Sequence, residues 1–363
     1  MKQKKVLILC PSPKGTAPTQ RLKYEQYLIL LETEGFKFEI SSFQSITFWE
    51  IIYKPGNILQ KILWTIWGYL KRTYDILRAP YYDIIFINLW VTPFGYPLYE
   101  YLLLKFNKNV IYDIDDMIFL NNEKRSLIDF LKGKKKPIYL MTNSKYVITC
   151  TPKLEEYAKN INIFGNVIDI SSTFNTKRFV PVLKYENKSI TTLGWTGTHS
   201  TLPFLMTLKP ILEKIALKRN IKLLVIANKA FKMDNVVTDF KFWNEESEVR
   251  DLHEIDIGLY PIPTNEWSLG KSSLKALTYM SIAIPVVATA YGTNFRVIED
   301  GISGYLVSSD NDWENVLISL IDNAELRKKI GLEGRRVVEK KFSLEANYHK
   351  YLNVFNTVLN QKK

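Results

Sequence analysis

The chain has 363 residues, of which 46% are hydrophobic and 24% charged, and it carries a formal net charge of +12. This length exceeds one ordinary hydrophobic core and this composition excludes a largely disordered chain, so we expect two folded domains. The positive charge indicates an anionic partner, of which nucleic acid, a membrane surface and a phosphorylated substrate are the usual classes.

The first half of the chain alternates apolar strands with helical patterns. Helices fill the intervals, and one of them, TQRLKYEQYLILLETEG, ends at Gly35; the strands are predicted at KVLILC, KFEISSF, YDIIFINL, NVIYDID and YVITC. Such alternation predicts a parallel, doubly wound sheet. The first apolar run is short and lacks a cleavage pattern, so we interpret it as a strand rather than a signal peptide. Cys10 and Cys150 lie in two of these strands and are expected to be buried thiols.

A polar interval near residues 175–189 precedes a second series of the same kind. Its strands are expected at ITTLGWTG, IKLLVIA, IDIGLYPI, IPVVAT and GYLV. The predicted fold class is therefore α/β, with two Rossmann-like domains in tandem, 1–182 and 183–342, and a last amphipathic segment, 343–363. In such sheets ligands bind outside the carboxyl ends of the strands.

The first candidate binding segment is GKSSLKALTYMSIAIPVVAT, which runs from a small-residue turn through a helix into a buried strand. If the helix starts near Ser272 or Ser273, then Lys271, Lys275 and Thr278 follow an i, i+4, i+7 pattern on one face. The helix N-terminus and the two ammonium groups would then form a site for a diphosphate. A solvated lysine face is the alternative interpretation.

A second candidate is the strand-to-helix turn in LGWTGTHSTLPFL, which contains Gly197, Thr198 and His199. Glycine allows a ligand to approach the backbone closely, and hydroxyl groups can cap the helix or reach a phosphate. His199 is either a ligand contact or a turn residue whose hydrogen bonds are satisfied locally.

The corresponding turn of the first domain is CPSPKGTAPTQRLKYEQYL. It contains no GxGxxG pattern, so a dinucleotide cofactor is not expected. Gly15 still allows close approach, and Gln20 and Arg21 open the following helix, so we predict a ligand-facing loop here.

Carboxylates follow the strand in NVIYDIDDMIFL. A period of two places Asp113 and Asp115 on one face and Asp116 on the other. A metal-binding pair is one interpretation, and hydrogen bonding to or deprotonation of a sugar hydroxyl is another. Capping of the next helix is the structural alternative for Asp116.

Two stretches combine aromatic and aliphatic residues with lysine and arginine, and they lie at 46–80 and 131–136. Basic amphipathic segments of this kind bind anionic lipid surfaces. A core-facing stripe with a solvated basic back is an equally compatible interpretation. No apolar stretch is long enough to span a membrane, and we expect a cytoplasmic protein.

In the order and spacing of these segments the chain resembles the GT-B glycosyltransferases of family 4, a retaining group that uses nucleotide sugars. The resemblance covers almost the whole chain and is strongest in GKSSLKALTYMSIAIPVVATAYGTNFRVIEDGISGYLV. It implies two Rossmann-like domains facing across a cleft, with acceptor in the first and nucleotide sugar in the second. It also implies that a C-terminal helix, 343–363, crosses back to the first domain.

The chain departs from the family pattern at two glutamate positions, which align with Gly270 and Thr278. Family members use the second glutamate on the donor ribose, a contact that Thr278 could replace in part. Gly270 cannot replace the first, and Glu266, four residues earlier, is the candidate for the contact to the sugar.

The cationic residues that hold the donor phosphates in the family are missing after the first strand of the second domain. The resemblance therefore implies that Lys271 and Lys275, with Ser272 and Ser273, bind the diphosphate, assisted by backbone N–H groups at 197–199. A second departure lies at YDIDD, where many relatives have histidine at the position of Asp115, followed by an acidic residue that matches Asp116.

The resemblance implies a hexosyltransferase without a bound metal and with no cofactor besides its nucleotide-sugar co-substrate. It would glycosylate a hydroxyl of a glycan or lipid-linked acceptor in cell-surface polysaccharide or glycolipid biosynthesis, at the inner face of the cell membrane if the basic stretches bind lipid. Asp115 and Asp116 would orient or deprotonate the acceptor hydroxyl. No nucleic-acid-binding motif is present. The alternatives are a non-catalytic nucleotide-sugar-binding scaffold subunit and another GT-B enzyme, such as a nucleotide-sugar epimerase.

Overall fold

The computed structural model describes residues 3–120, 133–181, 185–186 and 189–360. The chain forms two compact units, one of Met1–Ser172 with Asn347–Lys363 and one of Thr173–Ala346. The division thus follows Ser172, whereas the boundary predicted at 182–183 lies outside the described residues. Residues after Ser172 belong to the second unit because Phe174 exchanges backbone hydrogen bonds with that unit's own Phe342 and Leu344.

The first unit contains, in its described part, six parallel strands in the order β2-β1-β3-β4-β5-β6. Their bounds are β1 Lys4–Cys10, β2 Phe36–Ser42, β3 Ile84–Asn88, β4 Val110–Asp113, β5 Tyr146–Thr149 and β6 Val167–Asp169. Every residue of β3 is buried, as expected for a parallel strand covered on both faces. The strand order reverses between β1 and β3, and the loops that follow these two strands form the switch point of the sheet.

Helices connect these strands in the first unit. They are α1 Pro18–Arg21, α2 Leu28–Thr33, α3 Ile46–Ile52, α4 Ile58–Arg78, α5 Leu98–Phe106, α6 Lys135–Asn143 and α7 Pro152–Ile161. The single helix predicted from TQRLKYEQYLILLETEG is therefore wrong, because a 3-10 turn at Glu25–Tyr27 separates α1 from α2. Gln20, Lys23 and Glu25 point inward to polar partners in this stretch, which a straight amphipathic helix does not allow.

The second unit contains, among its described residues, six parallel strands in the order β12-β11-β10-β7-β8-β9. Their bounds are β7 Thr191–Gly197, β8 Ile221–Ala227, β9 Thr238–Phe242, β10 Ile257–Tyr260, β11 Val286–Thr289 and β12 Tyr305–Val307. This is the strand order of the Rossmann fold, and its switch point lies between β7 and β10. The predicted pair of parallel, doubly wound sheets is confirmed.

The connecting helices of the second unit complete the α/β pattern. They are α8 Leu202–Met206, α9 Lys209–Ala216, α10 Glu248–Leu252, α11 Leu274–Ser281, α12 Asn294–Val297, α13 Asp310–Asp322 and α14 Ala324–Val337, with a π-turn at Val338–Phe342.

The last helix, α15 (Leu344–Asn360), belongs to the first unit from Asn347 onward. The ring of Tyr351 in this helix stacks on the ring of Tyr27, with 4.3 Å between the two centroids. Phe355 lies parallel to Phe86 of β3 at 5.9 Å. The buried positions follow a helical spacing, so this helix covers part of the first sheet.

Candidate active site

The switch point of the second unit brings together the loops that follow β7 and β10. Loop 198–201 leaves β7, and the segment from Pro261 to Ser273 leaves β10 and leads to α11. Parallel strands place their carboxyl ends at one edge of a sheet, so polar groups from both loops converge there. The predicted residues at 197–199 and 270–275 lie in or beside these two loops.

Lys275 is the cation at the centre of this switch point. Its Nζ donates to Thr201 Oγ1 at 3.2 Å and lies 4.8 Å from the ring centroid of Trp195 and 5.7 Å from that of Tyr260. Gly197 leaves room for this arrangement, because a Cβ there would come within 2.4 Å of the Trp195 ring and 2.9 Å of Lys275 Cε. Aromatic faces attract an ammonium group, and these contacts hold the positive charge of Lys275 beside loop 198–201.

Lys271 does not lie on the same helical face as Lys275, and that prediction is wrong. Ser273 adopts a left-handed conformation with φ of 59°, and α11 begins only at Leu274. Lys271 itself is extended and follows the 3-10 turn Glu266–Gly270, with its ammonium 3.9 Å from the ring centroid of Trp267. The two lysines therefore reach the switch point from different elements, each over an indole ring.

The predicted hydroxyl groups near the start of α11 are engaged locally. Ser273 Oγ donates to Asn294 Oδ1 at 2.6 Å, and Thr278 Oγ1 donates to the carbonyl of Leu274 at 2.8 Å. Ser272 is buried, as is Gly270. The Ser273 and Thr278 hydroxyls donate their hydrogens in these bonds and can only accept one from a ligand. Ser273 fixes the turn before α11, and the Thr278 bond lies within α11 itself.

Glu266 is the first residue of the 3-10 turn and is exposed. The neighbouring Asn265 caps this turn, its Oδ1 accepting from the backbone N–H of Ser268 at 3.1 Å. This cap fixes the backbone that carries the Glu266 side chain, in the segment that follows β10.

Loop 198–201 is held by side chains that the sequence did not single out. The backbone N–H of His199 donates to Asn228 Oδ1 at 2.8 Å, and the Nδ1 of the same histidine lies 3.3 Å from Asn228 Nδ2. Thr198 Oγ1 lies 2.8 Å from Ser200 Oγ, and both side chains are exposed. The turn therefore presents hydroxyl groups and an imidazole to solvent on a backbone tied to β8.

In the first unit, Asp113 has a structural role. Its carboxylate is fully buried, accepts from Lys23 Nζ at 2.5 Å and from Asn88 Nδ2 at 3.2 Å, and so joins three elements. Burial lowers the pKa of the Lys23 ammonium, but the Asp113 and Asp115 carboxylates raise it by more, so its pKa lies above the ordinary value. The pair is a buried salt bridge beneath the candidate acceptor carboxylates.

Asp115 and Asp116 follow the end of β4 and lie in a loop rather than on the strand. Asp115 is buried beside Cys150, and burial, followed by this carboxylate, raises the pKa of the Cys150 thiol. Asp116 is half-buried and has a φ of 63°, a conformation that aspartate adopts more readily than most residues. The left-handed turn at Asp116 orients the two carboxylates differently, at the carboxyl end of the sheet.

The loop after β1 is fixed from within by Gln20. Its Oε1 accepts from the backbone N–H of Ser12 at 3.0 Å, and its Nε2 donates to the Ser12 carbonyl and to Glu25. Glu25 also accepts from the backbone N–H of Gly15, whose φ is 81°. Gln20 and Arg21 are both buried. Gln20 therefore positions this loop, and the groups of the loop that could contact a ligand are those of its backbone.

The surface of α4 carries an exposed apolar stripe. Its buried positions are Gly68, Arg72, Asp75 and Ile76. Its exposed apolar residues follow helical spacing and are Ile58, Leu59, Ile62, Leu63, Ile66, Trp67, Leu70, Tyr74 and Leu77. The buried face of α4 thus contains charged residues and its exposed face is apolar, the reverse of an ordinary surface helix. Among the residues that the structure describes, no helix combines the length and apolar character needed to cross a bilayer.

Two cations of the basic stretches are not available to a lipid surface. Arg72 is fully buried and binds Asp75 and the carbonyls of Cys10, Ser41 and Val91. Lys136 is also buried, whereas Lys135 is exposed. Residues 131–132 lie outside the described residues. Ionised groups placed inside a protein require such partners, so these two side chains belong to the interior of the first unit.

Comparison with known proteins agrees with this fold. No protein-family model matches the chain. The capsular polysaccharide biosynthesis glycosyltransferase CapM of Staphylococcus aureus is 24% identical over 155 residues, which is 40% of this chain and 40% of that relative. The chain therefore spans less than half the length of this curated relative.

Two solved structures superpose on almost the whole chain. Sucrose-phosphate synthase from Thermosynechococcus elongatus matches with a TM-score of 0.71 at 14% identity and covers 99% of this chain and 100% of that one. Anabaena HepE, solved with UDP and glucose, matches with a TM-score of 0.66 at 13% identity, covering 98% and 100%. The chain therefore has the GT-B fold of two Rossmann-like units, and CapM, which part of its sequence resembles, is a glycosyltransferase.

Proposed function

We propose that this protein is a glycosyltransferase that moves a sugar from a nucleoside-diphosphate sugar to a hydroxyl of a glycan or lipid-linked acceptor. The observation that carries the proposal is the switch point of the second unit, where Lys275 and Lys271 lie over indole rings beside a hydroxyl-rich loop. The similarity to CapM and the GT-B fold support the same activity and favour a role in polysaccharide biosynthesis.

The proposed mechanism is electrostatic. A departing nucleoside diphosphate gains negative charge in the transition state, and preorganised cations and N–H groups stabilise that charge without reorganising. Lys275 and Lys271 would take this role, with the backbone of 197–199 and the start of α11, Ser272 and Ser273 included, contributing dipoles. Thr278 would accept a hydrogen bond from the ribose, and Glu266 would contact the sugar.

The acceptor would be handled by the first unit. Asp116 and Asp115 lie at the carboxyl end of its sheet, and a carboxylate there can accept the proton of an attacking hydroxyl. Lys23 neutralises Asp113 below them, so the additional charge of the loop carboxylates is tolerated. We also propose that the anomeric configuration of the sugar is retained, because the chain resembles the retaining enzymes of family 4.

The exposed stripe of α4 supports a site of action at a membrane surface, which we place at the cytoplasmic face as part of the proposal. Apolar side chains would enter the interface, and Lys54, Lys61 and Lys135 would lie near anionic headgroups. A membrane-bound acceptor would then be concentrated where the enzyme works.

Thermal unfolding with UDP, GDP, ADP, CMP and TDP, with EDTA present throughout, tests the donor site. A nucleotide at 100 times its dissociation constant adds about 2.7 kcal/mol to the free energy of unfolding, which raises Tm by about 5–11 °C for a unit of this size, since each 1 kcal/mol shifts it by about 2–4 °C. One preferred diphosphate is expected. The absence of a shift with any of them would contradict the proposal.

Turnover separates the activity from the alternatives. A glycosyltransferase releases nucleoside diphosphate only as an acceptor is glycosylated, whereas an epimerase interconverts donors without acceptor. A scaffold binds the nucleotide and leaves the donor intact.

A further inference from the structure

The first unit contains a cavity of about 750 Å³, which lies within the size range of small-molecule sites. Its walls come from α3 and α4, the segment after β3 and the start of α6, and they include Phe48, Ile52, Thr65, Trp90 and Pro137. The lining is mainly aromatic and aliphatic. No residue assigned above to donor binding or to proton transfer lines it.

The wall of the cavity formed by the segment after β3 is held rigidly by buried groups. Leu89 has a φ of 61°, unusual for leucine, and its N–H donates to the carbonyl of Asp113 at 2.9 Å. Arg72 Nε donates to the carbonyl of Val91 at 2.9 Å, and Lys136 Nζ donates to that of Phe94 at 2.6 Å. The segment thus combines a strained residue with two carbonyls that accept hydrogen bonds from buried cations. These features indicate a preformed site rather than loose packing.

The charge of the lining is of one sign. Its described residues include Lys61, Lys134 and Lys136 and no carboxylate. Lys136 is committed to the wall through Thr92, Phe94 and Glu100, whereas Lys61 is only partly buried and donates to the carbonyl of Lys54. An ammonium carries three N–H donors, so Lys61 keeps donors for an anionic group at the end of an apolar ligand, and Lys134 adds positive charge to the same lining.

The cavity is adjacent to the candidate acceptor carboxylates. Ile118 lines it and lies two residues after Asp116, and the strained Leu89 is hydrogen-bonded to the backbone of Asp113. The exposed stripe of α4 belongs to the same helix that contributes Lys61 and Thr65 to the lining. A ligand in this cavity would therefore contact the loop that carries Asp116, through Ile118, and the helix that carries the exposed stripe, through Lys61 and Thr65.

We propose that this cavity binds the hydrocarbon chain of a long-chain lipid phosphate, the carrier of a lipid-linked acceptor, with the phosphate at Lys61 and Lys134. This inference rests on the proposed function, because it narrows the acceptor to the lipid-linked class. Apolar walls would remove the chain from water, and the lysines would select an anionic lipid over a neutral one.

Binding of decyl phosphate below its micelle concentration, measured by calorimetry on the full chain, tests the inference. We expect decyl phosphate to bind at least about tenfold more tightly than decanol or inorganic phosphate, since each of these probes lacks one half of the interaction. Thr65→Trp, which fills the cavity, should weaken decyl phosphate by more than about tenfold. Lys61→Gln with Lys134→Gln should weaken decyl phosphate and leave decanol unchanged. Lys105→Gln, an exposed lysine of α5, is the matched charge control and should bind like wild type.

UDP binding on the same preparations separates the two proposals. Wild-type protein that binds UDP but not decyl phosphate, or a Thr65→Trp variant that binds UDP and decyl phosphate as wild type does, overturns the lipid site alone. Wild-type protein that binds no nucleotide overturns the proposed function. Unchanged UDP affinity and unliganded Tm in Thr65→Trp establish that its loss of lipid binding is not a folding defect.

Discussion

The ammonium of Lys275 lies 4.8 Å from the ring centroid of Trp195, a fully buried residue of β7. The indole of Trp195 thereby positions a cation from α11 over the carboxyl end of the strand that begins the second unit. A cation held by an aromatic face keeps its charge for a ligand, whereas one held by a carboxylate would be neutralised. This contact places the positive charge of Lys275 beside the loop that follows β7.

Replacing Lys275 with glutamine should weaken the binding of the preferred nucleoside diphosphate by about 10- to 100-fold, since a hydrogen bond to a charged group contributes about 1.5–3 kcal/mol. Calorimetric titration measures this change. Lys329→Gln removes the same charge from an exposed position of α14 and should bind as wild type does. Equal dissociation constants for the two variants would remove Lys275 from the donor site.

Replacing Gly197 with alanine should reduce both stability and nucleotide affinity. The new Cβ would lie 2.4 Å from the Trp195 ring, and overpacking of this kind costs about 1–3 kcal/mol. Denaturant unfolding and UDP titration measure the two effects. Ser200→Ala, an exposed position in the same turn, should change stability by less than about 0.5 kcal/mol. A Gly197→Ala protein as stable as wild type would show that the ring and lysine move aside easily.

Buried parallel strands could be predicted from the sequence because each forms an almost continuous apolar run. Two strands were missed because neither forms such an apolar run. Strand β6 is three partly exposed residues long, and β9 alternates polar with aromatic residues at the edge of its sheet. The alternation of Thr238, Phe240 and Phe242 was a usable signal for β9.

The site was predicted only in part, because two of its features depend on tertiary structure. The left-handed conformation of Ser273 moves Lys271 off the helix, and no residue pattern in that segment announces it. Trp195 and Tyr260 look like ordinary core residues in apolar strands, and Asn228 follows another strand, so their roles beside Lys275 and His199 appear only in the fold. Arg72 was misjudged because an arginine on a helix is normally exposed.

Replacing Asp116 with asparagine should lower the rate of glycosyl transfer by about 10²- to 10⁴-fold, the usual contribution of a general base. Asparagine tolerates positive φ as aspartate does, so Tm and UDP affinity should stay at wild-type values. Asp116→Ala should in addition lose about 1–2 kcal/mol of stability, the cost of a left-handed conformation for an ordinary residue. Wild-type turnover in Asp116→Asn would restrict this residue to a structural turn.

Replacing Lys23 with methionine should destabilise the protein by about 3–5 kcal/mol, because the Asp113 carboxylate would remain buried without its cation. The raised pKa of Lys23 sets the pH range: its contribution is fully present below about 10.4, the ordinary pKa of a lysine, and is lost only as the pH rises through the higher folded value. The deficit relative to wild type should therefore not become smaller between neutral and mildly alkaline pH, because burial raises the pKa of Asp113 and any proton that the unpaired carboxyl binds is lost as the pH rises. A deficit that disappears at mildly alkaline pH would mean that Lys23 deprotonates in the folded protein.

Replacing Leu63 and Trp67 together with glutamate should abolish binding to anionic vesicles, because both side chains lie more than half exposed on the stripe of α4. Each apolar side chain that enters a membrane interface contributes about 1.5–3 kcal/mol, so their loss should reduce partitioning by more than about tenfold. Cosedimentation with vesicles of phosphatidylcholine and phosphatidylglycerol, at low and high salt, measures it. Ile163→Glu with Phe164→Glu adds the same charge at another exposed apolar site of the first unit and should leave binding almost unchanged. Equal loss of binding in both double variants would indicate general charge repulsion. Wild-type protein that binds neutral vesicles but not anionic ones would contradict a role for the lysines beside α4.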